Sequence, residues 1–300
     1  MGNRGVMCYS VFSQILIKDR DFMRKNAGGK RKMIDSHVHI GGDEAGFLMN
    51  EEMVLTSMKK YKIDISIVSN GDSVEYADEF TRVPEEMQIL QEETLARVIK
   101  FCRENPGRIY GAFWCKPHHE VVTEELEKMI ADNRDIIVAL KVHPTLSNLS
   151  FTNEKMHPYL KLAEKYNLPV MVHTANDEVA NPMRVYEMAC RYPKLKFIMA
   201  HMGLGTDNKL AVDLMEKAEN MYADTTWVPV ETTLEVIHRY GSERVMFGSD
   251  NPIDGVDTYS CNPLGEPCIY REYFGSLKEK ISKEDYENLM EKTARKVFGI

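Results

Sequence analysis

The sequence predicts a single (β/α)8 barrel, the TIM-barrel fold, over residues 33–300, with residues 1–32 as a flexible extension. Three observations predict it. Eight short apolar runs alternate with helix-patterned segments from Met33 onward, and such alternation implies parallel strands joined by helical crossovers. The eight units occupy close to the ~250 residues typical of a closed barrel of this kind. No G-x-G-x-x-G follows an early strand, which weighs against an open doubly wound sheet.

Taken in order, the first run is Met33-Ile34-Asp35-Ser36-His37-Val38-His39-Ile40, closed by Gly41 and Gly42. Glu51 to Tyr61 reads as a helix and Ile65 to Asn70 as the second strand. The polar stretch from Gly71 to about Pro84 is longer than most connections, which suits a lid or binding loop. Glu85 to Glu104 reads as a helix with Leu95, Val98 and Phe101 on its apolar face, stopped by Asn105-Pro106-Gly107. Tyr110 to Cys115 is the third strand, Val121 to Ala131 a helix, and Ile136 to His143 the fourth strand, ended by Pro144. Glu154 to Tyr166 is helical and Val170 to His173 is the fifth strand. Pro182 opens the next helix, to Arg191, at a position where its missing N–H costs nothing. Phe197 to His201, Met221 to Trp227 and Val245 to Gly248 complete the strands, with helices at Asn208 to Glu219 and Glu231 to Tyr240 between them. A Gly/Pro-rich loop from Asn251 to Pro267 leads to a last helical segment, Ser282 to about Phe298, where Ser282 and Asp285 resemble a capping box.

Composition narrows the function classes. A hydrophobic content of 43% with 28% charged residues is that of an ordinary globular chain able to bury a full core. The formal net charge of −8 argues against a nucleic-acid footprint, and no apolar run reaches the about 18 residues of a membrane span. The six cysteines are scattered without a C-x-x-C pair, so buried thiols in a reducing cytoplasm are expected rather than a disulfide framework. Ala27-Gly28-Gly29-Lys30-Arg31-Lys32 reads as a basic linker, and the segment before it lacks the layout of a signal peptide.

In a barrel of this kind the active site lies at the C-terminal strand ends. Five of the nine histidines fall there: His37, His39, His143, His173 and His201, with Lys141 and Asp250. Residues i and i+2 of a strand share a face, so His37 and His39 aim at one point, with Asp35 one step deeper. By the same alternation Ala139, Lys141 and His143 face inward, whereas Val138, Leu140 and Val142, like Ile34, Val38 and Ile40, face the helices. Neutral imidazole is the commonest metal-binding side chain, and a buried histidine cluster without metal or hydrogen-bond partners would be costly. Lys116 and Trp227, near strand ends, are candidates for lining a substrate pocket. His118, His119, His157 and His238 read as surface or packing residues.

The set Asp35-x-His37-x-His39, Leu140-Lys141-Val142-His143-Pro144, Val172-His173, Ala200-His201-Met202-Gly203 and Phe247-Gly248-Ser249-Asp250-Asn251-Pro252 resembles the amidohydrolase superfamily, in particular its amidohydrolase 2 branch. The resemblance implies a barrel with His37, His39, His173 and Asp250 as ligands of one metal, His201 beside it, and Lys141 and His143 lining the pocket. One zinc ion is expected. Manganese, or a second ion bridged by Lys141, is the other arrangement the superfamily allows. The implied reaction is hydrolysis of an amide, ester or lactone bond of a small molecule, with Asp250 as proton carrier. Decarboxylation of a small aromatic acid is the alternative from the same branch, and a metal-holding barrel without catalysis a third. Homo-oligomerisation is compatible with this reading.

Overall fold

The computed structural model describes residues 32–42, 49–78, 80–252 and 273–300. The expected extension up to Arg31 and all but the first two residues of the loop from Asn251 to Pro267 lie outside the described residues. Eight strands form one parallel sheet in sequence order: β1 Ile34–Ile40, β2 Ile65–Asn70, β3 Ile109–Trp114, β4 Ile137–Val142, β5 Val170–Ala175, β6 Phe197–Leu204, β7 Met221–Asp224 and β8 Val245–Met246. The runs are apolar almost throughout because a parallel sheet walled by helices is buried on both faces. In β4, Ile-Val-Ala-Leu-Lys-Val is buried at every position.

The sheet closes on itself. Ser36 N–H donates to the Phe247 carbonyl (3.0 Å), Asp250 N–H to the His37 carbonyl (2.9 Å) and His39 N–H to the Asn251 carbonyl (2.8 Å). The seam between the last strand and the first therefore runs through the residues that the sequence singles out.

Among the described residues, the helices of nine residues or more that cover the outside are α1 Glu51–Tyr61, α2 Gln91–Glu104, α3 Glu124–Asp132, α4 His157–Lys165, α5 Pro182–Arg191, α6 Lys209–Lys217 and α7 Val230–Tyr240. Their starts follow local chemistry. Asn50, Thr123 and Asn181 each accept a backbone N–H of the first turn of the helix that follows. Helix α2 begins at Gln91 rather than Glu85. Glu85–Met87 is a separate 3-10 turn, Leu90 is extended, and the Lys116 ammonium takes the Ile89 carbonyl (2.6 Å). The C-terminal segment runs Lys283–Glu287, a π-turn Asn288–Lys292, and Thr293–Phe298. It starts at the expected cap, where Ser282 Oγ accepts the Asp285 N–H (3.0 Å).

Side chains from seven strands meet in one cluster, among them Ile34, Ile67, Ala112, Ala139, Met171, Ile198 and Met246, together with Val297 and Phe298. Strands of a closed barrel share contacts only in its interior, so this is the inner core. Ile34 and Val138 belong to it, which corrects their expected placement towards the helices. The cause is an extra residue in β1 between Asp35 and Val38, and another in β4 opposite the Gly111–Ala112 step. Each such bulge shifts the alternation by one.

Cys102 and Cys115 are buried and free as expected, whereas Cys190 is exposed; Cys8, Cys261 and Cys268 lie outside the described residues. Among the described residues no helix is long and apolar enough to cross a membrane.

Candidate metal centre

The C-terminal strand ends surround a cavity of about 260 Å³. His37, His39, Lys141, His143, His173, His201 and Asp250 line it, and Met49, Val74, Trp114, Leu146, Leu204 and Trp227 add apolar surface.

The floor is built outward from β1. His37 Nδ1 lies 2.7 Å from Asp224 Oδ2, at the end of β7. A carboxylate there fixes the proton on Nδ1 and leaves the Nε2 lone pair facing the cavity. His39 Nδ1 lies 2.9 Å from Ser69 Oγ, and its Nε2 is 3.0 Å from His37 Nε2. Asp250 Oδ1 sits 2.9 Å from His39 Nε2 and 3.5 Å from His37 Nε2. The other carboxylate oxygen of Asp250 accepts the indole N–H of Trp227 (3.0 Å). Lys141 Nζ approaches His37 Nε2 to 2.7 Å. Across the cavity, His201 donates its backbone N–H to Asp224 Oδ1 (3.0 Å), and its Nδ1 is 3.3 Å from the Thr226 carbonyl. Asp224 thus anchors residues of β1 and β6 at once.

The potential ligand atoms of His37, His201 and Asp250 lie within 4.8 Å of one another. His39 touches two of these three. His173 stands on the cavity wall, edge-on to His201 (4.6 Å between ring centres) and stacked on His143 (3.7 Å). All the sequence-selected histidines and Asp250 therefore share one cavity, with His201 nearer the centre of the group than the sequence reading placed it.

Burial shapes the charges. It holds His37, His143 and His173 well below the usual imidazole range, lowers His39, and brings His201 down to about 4. Burial also lowers Lys141, to about 8. For Asp250 burial acts upward, but the hydrogen bond to His39 and the facing histidines overcome it and hold the carboxylate well below its ordinary value. Neutral imidazoles beside an ionised carboxylate are the protonation states that bind a metal. The nitrogen lone pair of His37 and the oxygen of Asp250 converge with His39 Nε2 on one point, where Lys141 is the only ammonium among the described residues. A donor set of imidazole and carboxylate fits a first-row divalent ion such as zinc or manganese.

Backbone strain is concentrated here. His201 (φ 67°), Met202 (50°), Trp227 (57°) and Asp250 (65°) are left-handed although none is glycine, a conformation that persists where surrounding contacts enforce it. Gly248 has no room for a side chain: a Cβ there would lie 2.9 Å from Thr226 Oγ1 and 3.1 Å from His37 Cβ.

One sequence expectation needs correction. Lys116 does not line the cavity; it is fully buried, with its ammonium on the Ile89 carbonyl and on Glu120 (3.2 Å). Asp35 lies below the ligand group, one step deeper as expected. It accepts the Ser249 hydroxyl (2.5 Å) and the His37 N–H (3.3 Å), and burial pushes it up to about 7. Sequence reasoning missed Asp224 and Trp114. Asp224 is the one carboxylate in the β7 run and stands at its end, a signal of the same kind that singled out Asp250.

Fold and site together define a (β/α)8 barrel with a candidate metal site at its C-terminal strand ends. A profile of the amidohydrolase family (amidohydrolase 2) matches residues 34–300, and the chain belongs to that family. No curated protein matches the sequence. Among solved structures, 5-carboxyvanillate decarboxylase from Novosphingobium aromaticivorans, with bound manganese, is similar at 13% identity and TM-score 0.69, covering 90% of this chain and 98% of that one. The 2,6-dihydroxybenzoate decarboxylase from Rhizobium aligns at 16% identity and TM-score 0.62, over 90% and 99%. A Pseudomonas putida protein, provisionally named 2-pyrone-4,6-dicarboxylic acid hydrolase, aligns at 14% identity and TM-score 0.62, over 90% and 98%. At these identities the likeness speaks for the fold.

Proposed function

We propose that the chain is a metal-dependent hydrolase that cleaves an amide, ester or lactone bond of a small molecule. His37, His39, His173 and Asp250 would hold one divalent ion, zinc in first place and manganese in second, with His201 beside it. Such an ion lowers the pKa of water towards neutrality and polarises a carbonyl oxygen.

The observation that carries the reading is the state and setting of Asp250. Its Oδ1 faces His37 and His39 while its Oδ2 is held by Trp227. The neighbouring groups keep it ionised. An ionised carboxylate beside the reacting centre is a proton acceptor. Hydrolysis needs an acceptor for the proton of the attacking water, and Asp250 then returns that proton to the leaving group. Decarboxylation instead needs a proton donor for the carbon that loses carbon dioxide. His201 is held neutral by burial, so it orients the carbonyl without adding charge.

Decarboxylation is the second reading. It is supported by the decarboxylases among the similar structures and by the indole rings of Trp114 and Trp227 beside the cavity, which suit a flat ring. The test is metal analysis of the purified protein, then a screen of lactones, esters, amides and aromatic carboxylates with acid and carbon dioxide release both recorded. Acid release without carbon dioxide agrees with hydrolysis. Carbon dioxide release selects the second reading, and bound metal without turnover in any class favours a barrel that only holds metal.

A further inference from the structure

We infer that His143 is a specificity-determining residue whose Nε2–H, fixed in one tautomer, receives a carboxylate or carbonyl oxygen of the substrate away from the bond that is broken. This rests on the cavity being the active site.

His143 directly follows β4 and caps a one-turn helix, Pro144–Ser147. Its Nδ1 accepts the backbone N–H of Leu146 (3.2 Å). The ring proton must then sit on Nε2, since a proton on Nδ1 would set two N–H groups against each other. The ring plane is held from both neighbouring strands. Trp114 of β3 is parallel to it (6°, 5.4 Å between centres) and His173 of β5 is nearly so (13°, 3.7 Å). A flip of the imidazole would lose the cap, and a swing would lose both stacks. Among the described residues no group accepts from Nε2, and His143 lines the cavity. The donor opens on the cavity, where an oxygen of a bound molecule can take the place that solvent holds otherwise. Lys141, two residues earlier, is engaged by His37 (2.7 Å), and the buried indole N–H of Trp114, which has no partner among the described residues, is the other uncharged donor on this side.

The substrate class that follows is a small molecule with two oxygen functions. One sits at the metal group and the other at His143. The test separates the cap from the donor. Asn is a strong N-cap, so His143→Asn keeps the acceptor for Leu146 N–H but is too short to present a donor in the cavity. Binding of benzoate and of phthalate, isophthalate and terephthalate to the zinc-loaded protein is measured by calorimetry, for wild type and His143→Asn at matched melting temperature and zinc content. The expected result is that at least one dicarboxylate binds the wild type about tenfold tighter than benzoate, as one hydrogen bond to a charged group provides. That gap, the ratio of dicarboxylate to benzoate affinity, closes in His143→Asn. Benzoate binding with no such gap in the wild type, or with the same gap in the variant, overturns the inference and leaves the active-site reading standing. No binding of any of the four overturns both. Independently, long-range ¹H–¹⁵N spectra of the histidine rings should show His143 protonated at Nε2; a proton at Nδ1 overturns the inference without touching the active-site reading.

Discussion

The Asp224→Asn substitution should remove metal without removing the fold, and the hydrogen bonds determine why. Asp224 Oδ1 accepts two backbone N–H groups, from His201 (3.0 Å) and Thr226 (3.1 Å). An asparagine must place its carbonyl oxygen there, because its amide nitrogen would meet two donors. The NH2 group then takes the place of Oδ2, 2.7 Å from His37 Nδ1. Two donors cannot face each other at that distance, so His37 must give up the Nδ1 proton and carry it on Nε2. That proton would point at His39 Nε2 and Asp250 Oδ1, where the lone pairs converge. Loss of such a supporting carboxylate typically lowers metal affinity by about 10–100-fold, which is about 1.4–2.7 kcal/mol. The fold should persist, since burial already disfavours the charge on Asp224 and an uncharged amide of the same shape replaces it. The assay is zinc affinity by competition with a chelator, with thermal melting of the metal-free proteins as control. An Asp224→Asn protein of wild-type zinc affinity would refute the tautomer argument.

Asp250→Asn should keep the fold and much of the metal, because three imidazoles remain, but lower turnover by about 10²–10⁴-fold as a lost proton carrier does; turnover measured beside metal content checks it, and near wild-type turnover would pass the role to His201. Gly248→Ala should destabilise the protein by about 1–3 kcal/mol and depress turnover, since its Cβ would press on His37 and Thr226; urea denaturation and kinetics read the two effects separately. The metal-free protein should lose stability from pH 7.5 to pH 4.5. The cavity histidines have folded-state values below the ordinary 6.5, His201 down to about 4, so the unfolded chain binds more protons in that window and stability falls with pH. Asp35, raised to about 7, and Asp224 act in the opposite direction, but the histidines outnumber them; a urea midpoint that rises on acidification would contradict this balance.

Much of this architecture is legible in the sequence because the governing rules are local. The buried runs of β4 and β5 and the cap at Ser282 depend on neighbours in the chain. The convergence of His37 and His39 follows from strand alternation and appears at 3.0 Å between their Nε2 atoms. What eluded the sequence depends on partners far along the chain. Ile34 and Val138 alternate correctly within their own strands, and only pairing with β2 and β3 shows the extra residue that turns them inward. Lys116 stands near a strand end like a pocket residue, yet its partners are Ile89, before α2, and Glu120. Asp224 has only its place at a strand end as a local signal, and its role exists because the closed barrel brings β7, beside β6 and one strand away from β1, to the same floor.

The same long-range closure joins stability to function. The bonds that zip the barrel shut are made by the backbones of Ser36, His37, His39, Asp250 and Asn251 with Phe247, and the side chains of His37, His39 and Asp250 are the ones that crowd together inside. Asp250 is held left-handed at this seam, with φ 65°, a conformation that costs of order 1–3 kcal/mol for a residue other than glycine. A metal ion bound to His37 and His39 on one edge and Asp250 on the other would cross-link the seam from the inside. Binding free energy then becomes stability of the closed barrel. The crowding of carboxylate and imidazoles, which is hard to hold without a cation, and the strained strand end are in that sense one device: the barrel is closed by the same residues that make it a binding site.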